Sequence, residues 1–400
     1  MQRVYLLKGK LQHYDWGGFL FLADLLGLQK QNQKPLAEYW MGAHPAYPSK
    51  LETENGDVSL IDFIKEQKGA AIGEEVWQQF EALPFLLKVL DVKDMLSIQV
   101  HPHKQNAIAG FERENTEGIS IHARERNYKD KNPKPELMVA LGDFYLLHGF
   151  KEEEKLIETL KTVPELNDLV PVFETTGYKG LYHHVMKMER SGVEKILQPL
   201  ADRIVPLYEK NELIKDTPDF WAARAFSNSS AAIKDAGIFS IYFLNLLHLQ
   251  KGEGIYQPAG LLHAYLEGQN VEVMANSDNV LRGGLTTKHM DVTELLENVN
   301  FEATVPDVME ELEAEEMVYK TEAAEFELIK YECKANSEKT ATAISAEIVL
   351  VYSGSVELID GEKRLLLHKG ESAFITGGGE YSYLCMEDSV FFRVRVPVKG

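Results

Sequence analysis

Ser97, Gln99 and His101 alternate with Ile98 and Val100 in the stretch Ser97-Ile98-Gln99-Val100-His101-Pro102, the polar–apolar rhythm of a half-buried strand. Side chains on a strand repeat every second residue, so Ser97, Gln99 and His101 project from one face while Leu96, Ile98 and Val100 turn to the core. A polar row of that kind facing an interior invites a metal or a ligand. Far downstream, Gly252, Pro258, Gly260 and His263 fall into the spacing G-x5-P-x-G-x2-H, followed by Glu267. Its glycines and proline turn the chain between two strands, and the turn delivers one imidazole inward. Between these segments lies Lys134-Pro135-Glu136, again two polar side chains one residue apart. Gln99, His101, Glu136 and His263 thus make an oxygen and nitrogen ligand set suited to zinc or another divalent transition metal. Two imidazoles, one carboxylate and a neutral amide leave a dication only partly neutralised and so a good Lewis acid. A structural zinc would more often be ringed by cysteines, and the chain has only Cys333 and Cys385.

Three cations stand near these ligands in the sequence. Lys134 lies two positions before Glu136, so both point the same way, and in an acidic protein a convergent lysine attracts a phosphate or an anionic intermediate. Lys88 sits in the apolar strand Phe85-Leu86-Leu87-Lys88-Val89-Leu90, where it needs an anionic partner or a route to water. Arg282, flanked by small residues at the end of the run Glu272–Gly284, can approach a developing oxyanion closely. The segment Ala37–Pro45 reads as core packing with a turn. His103, beyond Pro102, and His183 and His184 read as structural.

The elements that must hold these side chains follow from patterning. The first 150 residues contain short apolar runs bounded by Gly, Pro and Asn, with strands expected at Phe85–Leu90 and Leu137–Leu141. From Lys151 to about Lys234 the pattern turns helical, with Leu156, Ile157, Leu160 and Val163 at helical spacing and Pro164 ending the run. Strand signals return near Gly237, and the apolar stretch Ala236 to Leu249 reads as a buried strand or two. Glu310 to Met317 reads as a helix or solvated connector. Strands are expected at Ile348–Tyr352 and Val390–Val394, with a turn at Asp360-Gly361. Gly370-x5-Thr376-x-Gly378-x2-Tyr381 repeats the spacing of the upstream histidine motif without its histidine. That histidine spacing reads as the second motif of a cupin jelly roll. The expected fold is mainly β with an α-helical insertion: a discontinuous catalytic cupin barrel over 1–150 and 236–320, a helical insertion over 151–235, and a degenerate C-terminal jelly roll without metal over 321–400.

Taken together, the motifs resemble the type I mannose-6-phosphate isomerases, zinc-dependent cupin enzymes. The likeness rests on Asp15-Trp16-Gly17, Ala37-Glu38-Tyr39-Trp40-Met41-Gly42, Leu96 to Pro102, Lys134-Pro135-Glu136, His263-Ala264-Tyr265 and Ala275 to Arg282, and it spans nearly the whole chain. The resemblance implies one zinc held by Gln99, His101, Glu136 and His263, with substrate contacts by Ser97, Lys88, Lys134 and Arg282. It implies interconversion of mannose 6-phosphate and fructose 6-phosphate through a cis-enediol, with Arg282 stabilising the enediolate. Glu272 is the first choice for proton transfer, and Lys134 and Tyr265 compete with it. Two positions depart from the family: Pro133 stands where Asn-His-Lys-Pro-Glu has histidine, and Thr287 where Thr-Pro-Lys has proline.

Composition sets the outer bounds. With 400 residues, 44% hydrophobic and 26% charged, the chain suits two or three hydrophobic cores. A formal charge of −20 argues against nucleic acid, which needs a concentrated basic face. No membrane partner is expected, because Ala236 to Leu249 is interrupted by polar residues and too short to cross a bilayer. Two distant cysteines make no disulfide framework, and the N-terminus has no signal-peptide pattern, so the expected location is the cytoplasm. A monomer or weak homo-oligomer acting on a small phosphorylated hexose is expected. Two other readings stay open: a non-catalytic metal-containing sugar-phosphate-binding cupin, and a metal-dependent cupin oxygenase.

Overall fold

Every residue of the strand Phe85–Val92 is buried, and this strand and the thirteen-residue strand His263–Ala275 organise the sheet that carries the candidate ligands. In this computed structural model, which describes residues 2–29, 34–312 and 314–397, the main sheet has eleven strands. Its principal path runs 308–309, 254–257, 136–140, 263–275, 85–92, 38–42 and 10–12. The strand His263–Ala275 serves two lobes. Its first residues pair with 98–100 and 144–150, its later ones with 85–92 and 136–140. The change of partner falls at a bulge between Tyr265 and Glu267, next to Gly268. Gly268 has φ +131°, and a Cβ there would lie 2.6 Å from the Asp143 carbonyl oxygen, so the corner requires glycine. Leu90, Met138, Phe144, Leu146, Ile255 and Tyr265 fill the space between the lobes.

A second sheet of eight strands joins the first strands of the chain to its last: Val4–Lys8 pairs with both Ser372–Ile375 and Lys50–Thr53. Four further strands, from Glu338 to Cys385, make a third sheet, with Gly361 at the tip of the expected Asp360-Gly361 hairpin. Among the described residues the structure is mainly β, and no sheet closes into a barrel.

The helical block matches the sequence pattern. Helices span Glu153–Thr162, Val170–Met186, Arg190–Glu209 and Pro218–Asn228, and their apolar faces pack against Ile98, Val100, Leu147, Ala264 and Leu266. Other expectations need correction. Six of the fourteen residues of Ala236–Leu249 are helix, at Ile238–Phe243, before the strand Leu244–Leu249; a short apolar run has no period to distinguish the two. Helices also occur within the first 150 residues, the longest at Lys104–Thr116 directly after His103. Of the two readings of Glu310–Met317, the solvated connector holds over 310–312 and 314–315, which are exposed and not helical, while Glu316–Tyr319 is a strand; Glu313 lies outside the described residues. Cys333 and Cys385 pair as a disulfide, with Cα atoms 6.4 Å apart, because the sheets bring together strands remote in sequence. No described helix is long and apolar enough to cross a membrane.

Candidate metal centre and cleft

Strand register gathers the ligand candidates. His263 lies opposite Gln99, and Gln99 lies opposite Arg282, so three neighbouring strands present Gln99, His263 and Arg282 in one row. Glu136 enters from the other lobe, opposite Gln257 and Met274. His101 Nε2 lies 3.2 Å from Glu136 Oε1, and His263 Nε2 lies 3.3 Å from Glu136 Oε2. The candidate ligand atoms of these three buried residues lie within 4.8 Å of one another. The Gln99 amide nitrogen is 3.2 Å from His263 Nε2.

The protonation pattern of this cluster calls for a cation. His101 Nδ1 donates to the Asn279 carbonyl at 2.7 Å and His263 Nδ1 to the Leu261 carbonyl at 2.9 Å, so both rings turn Nε2 towards Glu136, that of His101 with no donor near it. His101 Nε2 and Glu136 Oε2 are buried without a hydrogen-bond donor. Lone pairs facing lone pairs in a sealed site are unfavourable until a cation enters between them, so the residues fit a divalent metal. Burial, helped by the Lys134 ammonium, pushes the His101 pKa down to about 4, which keeps the ring neutral and able to ligate. Burial alone would raise the Glu136 pKa, but the Lys134 ammonium holds it well below the usual carboxylate range.

A cleft of about 1130 Å³ opens above the cluster and is lined by Ser97, Gln99, Lys88, Lys134 and Arg282 among others. Lys134 Nζ reaches Glu136 Oε1 at 2.8 Å. The Arg282 side chain makes no hydrogen bond or ion pair among the described residues, and burial lowers its pKa. Lys288, also in the wall, has its pKa lowered by burial and by Arg282. Unpaired cations on a half-buried wall create demand for an anion.

Glu272 and Tyr265 lie behind this wall rather than on it, 3% and 2% exposed. Tyr265 donates to Glu272 Oε1 at 2.7 Å, and Gln257 donates to the Tyr265 oxygen at 3.2 Å. Lys88 stands between Glu272 and the cleft, with Nζ 3.3 Å from Glu272 Oε2 and 3.4 Å from Glu38 Oε2. Burial and then Glu136 raise the Glu272 pKa. Burial would lower that of Lys88, but Glu38 and Glu272 hold it above the ordinary lysine range.

Several site residues escaped the sequence reading. The segment Ala37–Pro45 is core on one face only: Tyr39 and Met41 pack in the core, while Glu38, Trp40 and His44 line the cleft. The alternation of Glu38 and Trp40 with apolar neighbours was the available signal. His44 Nε2 meets Asp278 Oδ1 at 3.1 Å across the rim. Asn279 orients His101 through its carbonyl, and its side-chain amide binds the backbone of Lys129, Asp130 and Asn132; nothing in a polar loop marks such a residue. His103 caps no ligand set and meets Asn300 at 3.2 Å.

Fold and site define a metalloprotein of open β-sheets whose cleft suits a small polar anion. Residues 4–153 match the family model described as phosphomannose isomerase type I, catalytic domain. Mannose-6-phosphate isomerase of Escherichia coli K12 is 36% identical over 380 residues, covering 92% of this chain and 94% of that protein. The Mus musculus mannose-6-phosphate isomerase is 32% identical over 432 residues, covering 99% and 96%. The crystal structure of Salmonella typhimurium mannose 6-phosphate isomerase bound to substrate and zinc superposes with a TM-score of 0.88 at 34% identity, covering 99% of this chain and all of that one. The chain belongs to the type I phosphomannose isomerase family.

Proposed function

We infer that this chain is a zinc-dependent aldose–ketose isomerase that interconverts mannose 6-phosphate and fructose 6-phosphate through a cis-enediol. The observation that carries this reading is the buried convergence of His101, Glu136 and His263, with His101 Nε2 and Glu136 Oε2 left without a donor, beneath a cation-lined cleft, in a chain that aligns with isomerases over almost its full length. Gln99, His101, Glu136 and His263 would hold zinc. When bound there, zinc supplies Lewis acidity towards sugar oxygens.

The chain's own residues do the rest. Arg282 binds the anionic substrate and offsets charge on the developing enediolate, and Lys88, Lys134 and Ser97 hold the sugar phosphate. Glu272 carries the proton between C1 and C2. Its raised pKa brings a carboxylate closer to the working pH and Tyr265 fixes its orientation; Lys88 stands between it and the cleft, so this role requires Lys88 to move aside when the sugar binds. Lys134, already on the wall, is the competing carrier.

The proposed architecture is cupin-like: the eleven-stranded sheet, bent at Gly268, as a catalytic jelly roll from 1–150 and 236–320, an insertion over 151–235, and a metal-free jelly roll over 321–400 whose sheet also takes in the strands 4–8, 50–53, 56–59 and 316–319. In the last of these, Tyr381 stands where the histidine would be and donates to Glu347 at 2.7 Å. A cytoplasmic monomer or weak homo-oligomer is proposed. The test is turnover of fructose 6-phosphate with and without a chelator. Chelator-sensitive formation of mannose 6-phosphate supports the enzyme, and binding without turnover refutes it.

A further inference from the structure

We propose that Glu38 reads the sugar end of the substrate: one carboxylate oxygen is committed to Lys88 and Trp40, and the other is left to accept a hydrogen bond from a sugar hydroxyl. This contact rests on the isomerase reading and adds to it.

Glu38 is 7% exposed and lines the cleft from the strand Glu38–Gly42. Its Oε2 accepts the Trp40 indole N–H and lies 3.4 Å from Lys88 Nζ, which in turn sits 4.9 Å from the centre of the Trp40 ring. These contacts fix the carboxylate. Its Oε1 has no donor among the described residues, yet it is not one of the buried atoms sealed from water. Because Glu38 lines the cleft and its other oxygen is committed, Oε1 is the acceptor this side chain has left for a donated hydroxyl.

The chemistry of the wall calls for such a group. Lys88, Lys134, Arg282 and Lys288 only donate, and the other carboxylates lining the cleft are already engaged, Asp94 by Arg224, Asp278 by His44 and Asp235 by the backbone N–H groups of Gly237 and Leu285. A carboxylate among them accepts from hydroxyls and repels phosphate, so it sets which end of a sugar phosphate lies beside Lys88.

The zinc-loaded protein carrying Glu38→Ala should lose roughly 10–100-fold in kcat/KM for fructose 6-phosphate, the worth of a hydrogen bond to a charged group. Its inhibition constant for inorganic phosphate, which has no sugar hydroxyls, should stay the same or tighten. Glu38→Gln, which keeps an acceptor oxygen, should recover most of the loss. Should the alanine variant fail to fold, Glu38→Asp, shorter by one methylene, should show the same split between substrate and phosphate. A kcat/KM within twofold of the parent, or phosphate inhibition weakening in parallel, overturns the contact. A parent protein without turnover overturns the isomerase reading, and this contact with it.

Discussion

Replacing Lys88 by methionine isolates the electrostatic core of the site, because methionine keeps the aliphatic stem and removes only the ammonium. Lys88, Glu38 and Glu272 have side chains 8%, 9% and 4% exposed, and the two ion contacts are 3.4 and 3.3 Å long. Removing one member of a buried ion pair costs about 3–5 kcal/mol, and here one cation serves two carboxylates, so Lys88→Met should destabilise the protein by at least about 3 kcal/mol at pH 7.5. The sign of the pH dependence follows from Glu272. Burial and Glu136 raise its pKa even beside Lys88, so without Lys88 its folded-state pKa lies above the unfolded value of about 4.3. Such a group costs stability above its folded pKa, and the cost fades as pH falls through it, by up to about 1.4 kcal/mol per pH unit. The penalty should therefore shrink between pH 7.5 and 5.5. Urea unfolding of zinc-loaded parent and variant at both pH values measures it. A penalty below about 1 kcal/mol, or one that grows on acidification, would refute the reasoning.

Glu272→Gln should lower turnover roughly 10²–10⁴-fold with zinc content unchanged, measured by steady-state kinetics and elemental analysis; near-normal turnover would move proton transfer to Lys134. Glu267 accepts from Arg224 and Lys215, and Arg224 also binds the Lys93 carbonyl, tying the helical block to the main sheet. Burial would raise the Glu267 pKa, but Lys215 and Arg224 hold it below the ordinary value, so its contribution is complete above the unfolded pKa and is lost as pH falls through the folded one. Glu267→Gln should thus cost about 1–2 kcal/mol at pH 7, a partly exposed cluster being worth less than a buried one, and less at pH 3. Equal penalties at the two pH values in thermal unfolding would contradict this.

The sequence was most legible where a short period coincided with chemistry. Ile98 and Val100 do pack in the core while Ser97 and Gln99 face the cleft, and His101, Glu136 and His263 converge from segments more than 160 residues apart between the first and last. Helical spacing likewise located Glu153–Thr162. What stayed hidden depends on long-range pairing. No local pattern says that Val4–Lys8 joins Ser372–Ile375, that Cys333 meets Cys385, or that Lys88 stands in front of Glu272. Glu38 and Trp40 were hidden for another reason: a buried strand with two functional residues on one face resembles packing until its neighbours are known.

The central claim is that His101, Glu136 and His263, with Gln99, hold a single dication. Anomalous diffraction across the zinc edge, from crystals of protein purified without added metal, tests it directly. One peak is expected about 2.0–2.2 Å from His101 Nε2, His263 Nε2 and a Glu136 oxygen, and absent in Glu136→Ala. No peak among these side chains in the zinc-replete parent, or a peak only elsewhere in the molecule, would contradict it.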